Sequence, residues 1–162
     1  MSAHHERSRA APKHAAAERV DEAARVAAHP TFRFPVRVYY EDTDAAGVVY
    51  YANYLKFMER ARTEWLSSLG FDLAVVEREH GVVFAVHRVE IDFRKPAQLS
   101  DRLDVTLTLV EIRRARLVAD QAVKRNAEIL THARVTLACL DPSNWRPARI
   151  PAPLVARMEA LP

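Results

Sequence analysis

Apolar and polar residues alternate along Phe34, Val36, Val38 and Tyr40, the pattern of a half-buried β-strand. The alternation returns at Val89, Ile91 and Phe93, then at Leu103, Val105, Leu107 and Leu109. It returns again at Ala133, Val135, Leu137 and Cys139, with a further strand starting near Leu117. After the first strand the period changes. Tyr54, Met58, Ala61, Trp65 and Leu69 step by four, three, four and four, which predicts one apolar packing face on a helix of roughly five turns. Gly70 ends this helix as a left-handed cap, a helix-like stretch covers about 72–79, and Gly81 resets the chain. Strand, long helix and four more strands read as an α+β domain, an antiparallel sheet with the helix on its inner face. A single such domain leaves an exposed sheet edge, so a homodimer or homotetramer is expected.

Up to about residue 30 Ala, Arg and His dominate and aromatics are absent, so residues 1–31 read as a flexible extension ahead of a domain over 32–158. Its histidines, His4, His5, His14 and His29, lack acid or cysteine partners at fixed spacing, so no metal is implied. The chain of 162 residues has the size of one domain. Its net charge of +3 is spread over interleaved acids and bases, which does not suggest nucleic acid. No run approaches the roughly 18 apolar residues of a membrane span, and no apolar signal core opens the chain. A single cysteine, Cys139, rules out an internal disulfide and fits the cytoplasm.

The chemistry points to residues 39–54. A strand hands over to a helix there through Glu41, Asp42, Thr43, Asp44 and Gly47. A helix start carries unpaired N–H donors and roughly half a positive charge. An acid beside such donors is suited to attacking and polarising a carbonyl. Asp44 can equally be an acidic turn residue. Glu41 and Asp42 read as structural or helix-pairing groups.

Two blocks, Val38-Tyr39-Tyr40-Glu41-Asp42-Thr43-Asp44 and Glu59-Arg60-Ala61-Arg62-Thr63-Glu64, resemble the acyl-CoA thioesterases related to 4-hydroxybenzoyl-CoA thioesterase. The branch associated with the Tol–Pal envelope system is the most similar, from about Phe34 to Arg157. The resemblance implies the hot-dog fold, a sheet wrapped around the helix, and hydrolysis of acyl-CoA to free acid and coenzyme A. It implies that Asp44 is the catalytic carboxylate, either adding to the thioester or activating a water. It also implies that the Tyr51 backbone amide, at the helix cap, polarises the carbonyl. Many Tol–Pal-branch members carry histidine at this position and the 4-hydroxybenzoyl branch carries tyrosine, so Asp44 is left to act without a neighbouring imidazole.

Arg113, Arg114 and Arg116 form a basic run between two strands. They read either as a solvated hairpin tip or, with Arg113 and Arg114 matching a basic segment of the resembling family, as a clamp on coenzyme A phosphates. Arg94 with Lys95 is a weaker alternative. Cys139 and His132 fall on opposite faces of one strand and do not read as a nucleophile and base. His80 and His87 match no motif, and no cofactor is implied. A hot-dog dehydratase or hydratase, and a non-catalytic thioester-binding or envelope scaffold, are the competing readings. The first usually needs a positioned histidine; the second has no need of Asp44.

Overall fold

The computed structural model describes residues 30–160. The expected N-terminal extension lies outside the described residues, apart from its last two positions. The elements are β1 (Phe32–Arg37), a 3-10 turn (Tyr40–Asp42), α1 (Tyr51–Ser68), α2 (Leu73–His80), β2 (Val83–Phe93), β3 (Arg102–Arg113), β4 (Arg116–Arg125), β5 (Glu128–Leu140) and α3 (Ala152–Glu159). The strands form one antiparallel sheet in the order β1-β3-β4-β5-β2.

The helix α1 lies against β1, β3 and β4. Every residue of its expected stripe is buried, together with Phe57 and Leu66. The face is therefore wider than a single seam, as it must be to fill a sheet's concave side. Phe57, Met58 and Ala61 meet Val105, Val123, Leu130 and Val135 in one half of the core. Trp65, Leu66 and Leu69 meet Leu107, Leu117, Cys139, Leu154 and Met158 in the other. Phe57→Ala in this close-packed interior is expected to cost about 3–5 kcal/mol, read from urea unfolding.

The helix ends as expected. The Phe71 N–H reaches back to the Leu66 carbonyl (3.2 Å), and Gly70 turns the chain at φ +90. For α2, Asp72 caps the start by accepting from the Ala74 N–H (2.9 Å), and Gly81 closes the end at φ +64. The sequence pattern did not mark α3. Pro151 and Pro153 lie at its cap and first turn, where a missing N–H costs nothing. Its Leu154 and Met158 are fully buried and close the second half of the core.

Two boundaries differ from expectation. The first strand stops at Arg37 instead of running to Tyr40, because the Asp42 carboxylate accepts the Tyr39 N–H (2.8 Å) and winds the chain into the 3-10 turn. Tyr40 is consequently 82% exposed. The cap of α1 is Tyr50, and Tyr51 is the first helical residue instead of the cap.

Cys139 lies within the core, where burial pushes its thiol up to about 11. Native protein is expected to resist a thiol-specific reagent at neutral pH and to react once unfolded. Rapid labelling of the folded state would contradict this placement.

Candidate active site

The 3-10 turn sets up everything that follows. Its Asp42 is buried, with the carboxylate committed to the Tyr39 N–H, so it holds the turn and is not open to a ligand. The Asp42 carbonyl accepts the Tyr50 N–H (2.9 Å) and the buried Asn53 Nδ2 (2.9 Å). Asn53 is therefore a brace from the first turn of α1 back to the loop, not a helix cap. Thr43 bridges Val49, and the Asp44 N–H donates to the Val48 carbonyl (2.9 Å). Residues 42–50 thus close into a small hairpin whose base is the start of α1.

Asp44 stands at the tip side of this hairpin. Its Oδ1 accepts the Ala46 N–H (2.8 Å), its carbonyl accepts the Gly47 N–H (2.9 Å), and its side chain is exposed. Among the described residues nothing pairs with Oδ2, which is free to meet a ligand. Gly47 has open space around it but φ +76, so the tight turn asks for glycine through its backbone, not through crowding.

Tyr51 supplies one of the first-turn N–H groups that an α-helix leaves without an intrahelical acceptor. Its ring, 62% exposed, stands against Tyr50 (centroids 4.8 Å apart) and edge-on to Phe93 (6.2 Å). The Tyr51 hydroxyl beside Tyr50 raises the Tyr50 pKa. Val49, Tyr51, Tyr54, Phe93, Arg94, Lys95 and Pro96 line a cavity of about 270 Å³ at this point.

The wall of that cavity is pinned through Ala97. The Ala97 N–H donates to the Tyr54 hydroxyl (2.8 Å), and its carbonyl accepts the Val49 N–H (2.9 Å). Burial raises the Tyr54 pKa, which keeps the phenol protonated. Tyr54→Phe is expected to leave the Ala97 N–H unpaired at about 1–3 kcal/mol. Urea unfolding reads this cost, and an unchanged midpoint would deny the anchor.

Arg94 and Lys95 share the cavity with Tyr51. Lys95 pairs with Glu128, whereas the Arg94 side chain has no partner among the described residues. Arg113 and Arg114 lie elsewhere. The Asp44 hairpin adjoins the start of β3, through Val48 on Gln98 and Arg37 opposite Arg102. Arg113 ends the same strand, eleven residues on from Arg102, or roughly 36 Å at about 3.3 Å per residue. Arg113 also pairs with Glu111, which Arg116 approaches at 3.5 Å. Arg114 is exposed, and its carbonyl accepts the Ile150 N–H (2.8 Å). One protomer therefore brings Asp44, Tyr51 and Arg94 to one end and the arginine hairpin to the other.

The cavity walls Tyr54, Phe93 and Pro96 were not singled out as a site from sequence. Tyr54 and Phe93 were read there only as core positions.

Residues 38–158 match the sequence model of the thioesterase-like superfamily. The chain belongs to this superfamily. Acyl-CoA thioesterase YbgC of Haemophilus influenzae is 42% identical over 130 residues, 80% of this chain and 96% of that protein. A 1,4-dihydroxy-2-naphthoyl-CoA thioesterase structure from Synechocystis superposes with TM-score 0.75 at 30% identity, covering 82% of this chain and 98% of its own. A probable thioesterase from Bartonella henselae gives TM-score 0.71 at 33% identity, covering 75% and 100%. The sheet and helix are the hot-dog fold of these thioesterase-like proteins. No helix among the described residues is long and apolar enough to cross a membrane.

Proposed function

We propose that this thioesterase-like protein hydrolyses acyl-CoA to free acid and coenzyme A with Asp44 as its carboxylate and the Tyr51 amide as its electrophilic donor. The observation that carries the assignment is the 42–50 hairpin. It ties an exposed, half-committed carboxylate to the first turn of α1 by backbone bonds. The N–H groups at the helix start stabilise the oxyanion that forms when the thioester carbonyl is attacked.

The attacking oxygen is Asp44 Oδ2 itself or a water that gives it a proton. In the first route the C–S bond breaks as an acyl anhydride forms, the leaving sulfur takes a proton, and water then opens the anhydride. In the second, one tetrahedral intermediate collapses directly to acid and thiol. Single-turnover hydrolysis in ¹⁸O-water separates them, because only the anhydride route can return an unlabelled product oxygen from Asp44. Free-thiol release from a panel of aromatic and aliphatic acyl-CoAs tests the activity. Release no faster than that of the Asp44→Asn protein across the panel would overturn the assignment.

For the phosphates of coenzyme A we propose Arg113 and Arg114, reaching from a second protomer. The roughly 36 Å length of β3 keeps them from the Asp44 of their own chain, and Arg114 is exposed, with no side-chain partner among the described residues. Arg113→Ala with Arg114→Ala is expected to raise KM for acyl-CoA about tenfold or more with little change in kcat, since phosphate contacts persist from ground to transition state. An acyl thioester lacking the nucleotide should be insensitive. Equal loss on both substrates would make the hairpin structural. A cytoplasmic enzyme, at least dimeric and acting alongside the Tol–Pal system, completes the proposal.

A further inference from the structure

A second cavity opens on the other half of α1. It measures about 130 Å³, and Arg62 enters it among Trp65, Leu66, Leu117, Leu137 and Met158. Arg62 follows Tyr51 by eleven residues, which at a rise of ~1.5 Å places it roughly 16 Å along the helix. It belongs to neither the hairpin nor the Tyr51 cavity.

The polar environment of Arg62 is incomplete. Its Nη1 donates to Gln121 Oε1 (2.8 Å), and the buried Gln121 donates in turn to the Met58 carbonyl (3.0 Å). Both ends of that amide are thus committed to holding β4 on α1. Glu59, one turn earlier, also lines the cavity but is exposed and accepts from Thr63 Oγ1 (3.1 Å). Among the described residues no carboxylate lies within ion-pair distance of Arg62. Burial lowers the Arg62 pKa more strongly than Glu59 raises it. A partly buried guanidinium against apolar walls, with one neutral partner, carries a desolvation cost that an anion would offset.

We infer that this cavity binds the carboxylate of a short aliphatic acid, with Arg62 holding the carboxylate and the apolar walls taking the chain. The forked donors of arginine suit two carboxylate oxygens. The volume equals about four water molecules at roughly 30 Å³ each, room for a tail of a few carbons. A free acid is also what thioester hydrolysis releases. The site therefore takes the reaction's product class at a distance from Asp44.

Trp65 lines the cavity and is 6% exposed, whereas Trp145, the other of the two tryptophans, is 67% exposed. Sodium butyrate is titrated into full-length Trp145→Phe protein at constant ionic strength, with Trp65 fluorescence followed. A saturable change is expected, with 1-butanol and the Arg62→Met variant each binding at least tenfold more weakly. The same titration on Asp44→Asn protein should be unaltered. No saturable response to butyrate would overturn the site, as it would if a second copy of the chain fills the cavity. So would an equal response to butanol, or undiminished affinity in a folded Arg62→Met protein. Loss of the response in Asp44→Asn protein would assign the acid to the thioester site instead. Should Arg62→Met fail to fold, the butyrate-to-butanol comparison decides alone.

Discussion

Asp44→Asn protein is expected to turn over acyl-CoA roughly 10²–10⁴-fold more slowly than the unaltered chain and to remain folded. The loop geometry makes this substitution a clean probe. Asparagine keeps an Oδ1 acceptor for the Ala46 N–H, and the backbone bonds to Val48 and Gly47 do not involve the side chain. What disappears is the charge, and with it both the nucleophile and the base. KM should change little, since the cavity beside Tyr51 is untouched. Initial-rate kinetics together with a thermal melt check the expectation. A folded variant with unaltered kcat would remove Asp44 from the reaction. Asp42→Asn is the paired control: its carboxylate faces the Tyr39 N–H, so any loss should fall on stability before turnover.

Equal amounts of Asp44→Asn protein and the Arg113→Ala/Arg114→Ala protein should regain activity on mixing. In a two-fold dimer with shared sites, a mixed pair holds one site with both defects and one with neither. Random exchange makes about half the dimers mixed, so roughly a quarter of all sites recover the unaltered composition. With acyl-CoA held well below KM, where the arginine defect shows, the expected rate is therefore about a quarter of that of the unaltered protein, well above the sum of the two parents. Exchange is confirmed by mass spectrometry of differently tagged chains. Demonstrated exchange with activity still at the parental sum would leave the arginines on their own chain. Arg94, beside Tyr51 and without a side-chain partner among the described residues, would then be the cation to test.

The fold was largely legible because each element announces itself by period and punctuation. The stripe from Tyr54 to Leu69 and the turns at Gly70 and Gly81 depend on local spacing and backbone freedom, which sequence displays directly. The early end of β1 was not legible. It depends on Asp42 turning inward to hold an N–H three residues back, a local competition between carboxylate and ladder that alternation does not encode. The start of α1 was off by one residue because its cap, Tyr50, makes no side-chain cap bond that a residue type could announce. The helix α3 was missed because prolines at its first turn look like breakers until their position is known.

At the site, Asp44 and Tyr51 stood out because they flank a strand-to-helix change, and the resemblance gave them roles. The cavity between Tyr51 and Phe93 was hidden. Phe93 falls on the apolar phase of β2, and only the end of the strand, where the sheet stops covering it, leaves it 49% exposed. The separation of Arg113 from Asp44 was equally hidden, since sequence distance says nothing of which strand end a hairpin occupies. Strand order decides that.

The bonds that close the 42–50 hairpin have a consequence for its motion. The amides of Asp44, Val49 and Tyr50 are each given to a carbonyl of the hairpin or of Ala97, and Asn53 locks the base from inside α1. A loop tied in this way cannot release one amide without loosening its neighbours. Their solvent deuterium uptake should therefore be slow and concerted, with one opening free energy for all three. The catalytic segment would then belong to the cooperative body of the domain, unlike the mobile loops that carry so many active sites. Any opening that admits substrate has to come from the surfaces around it.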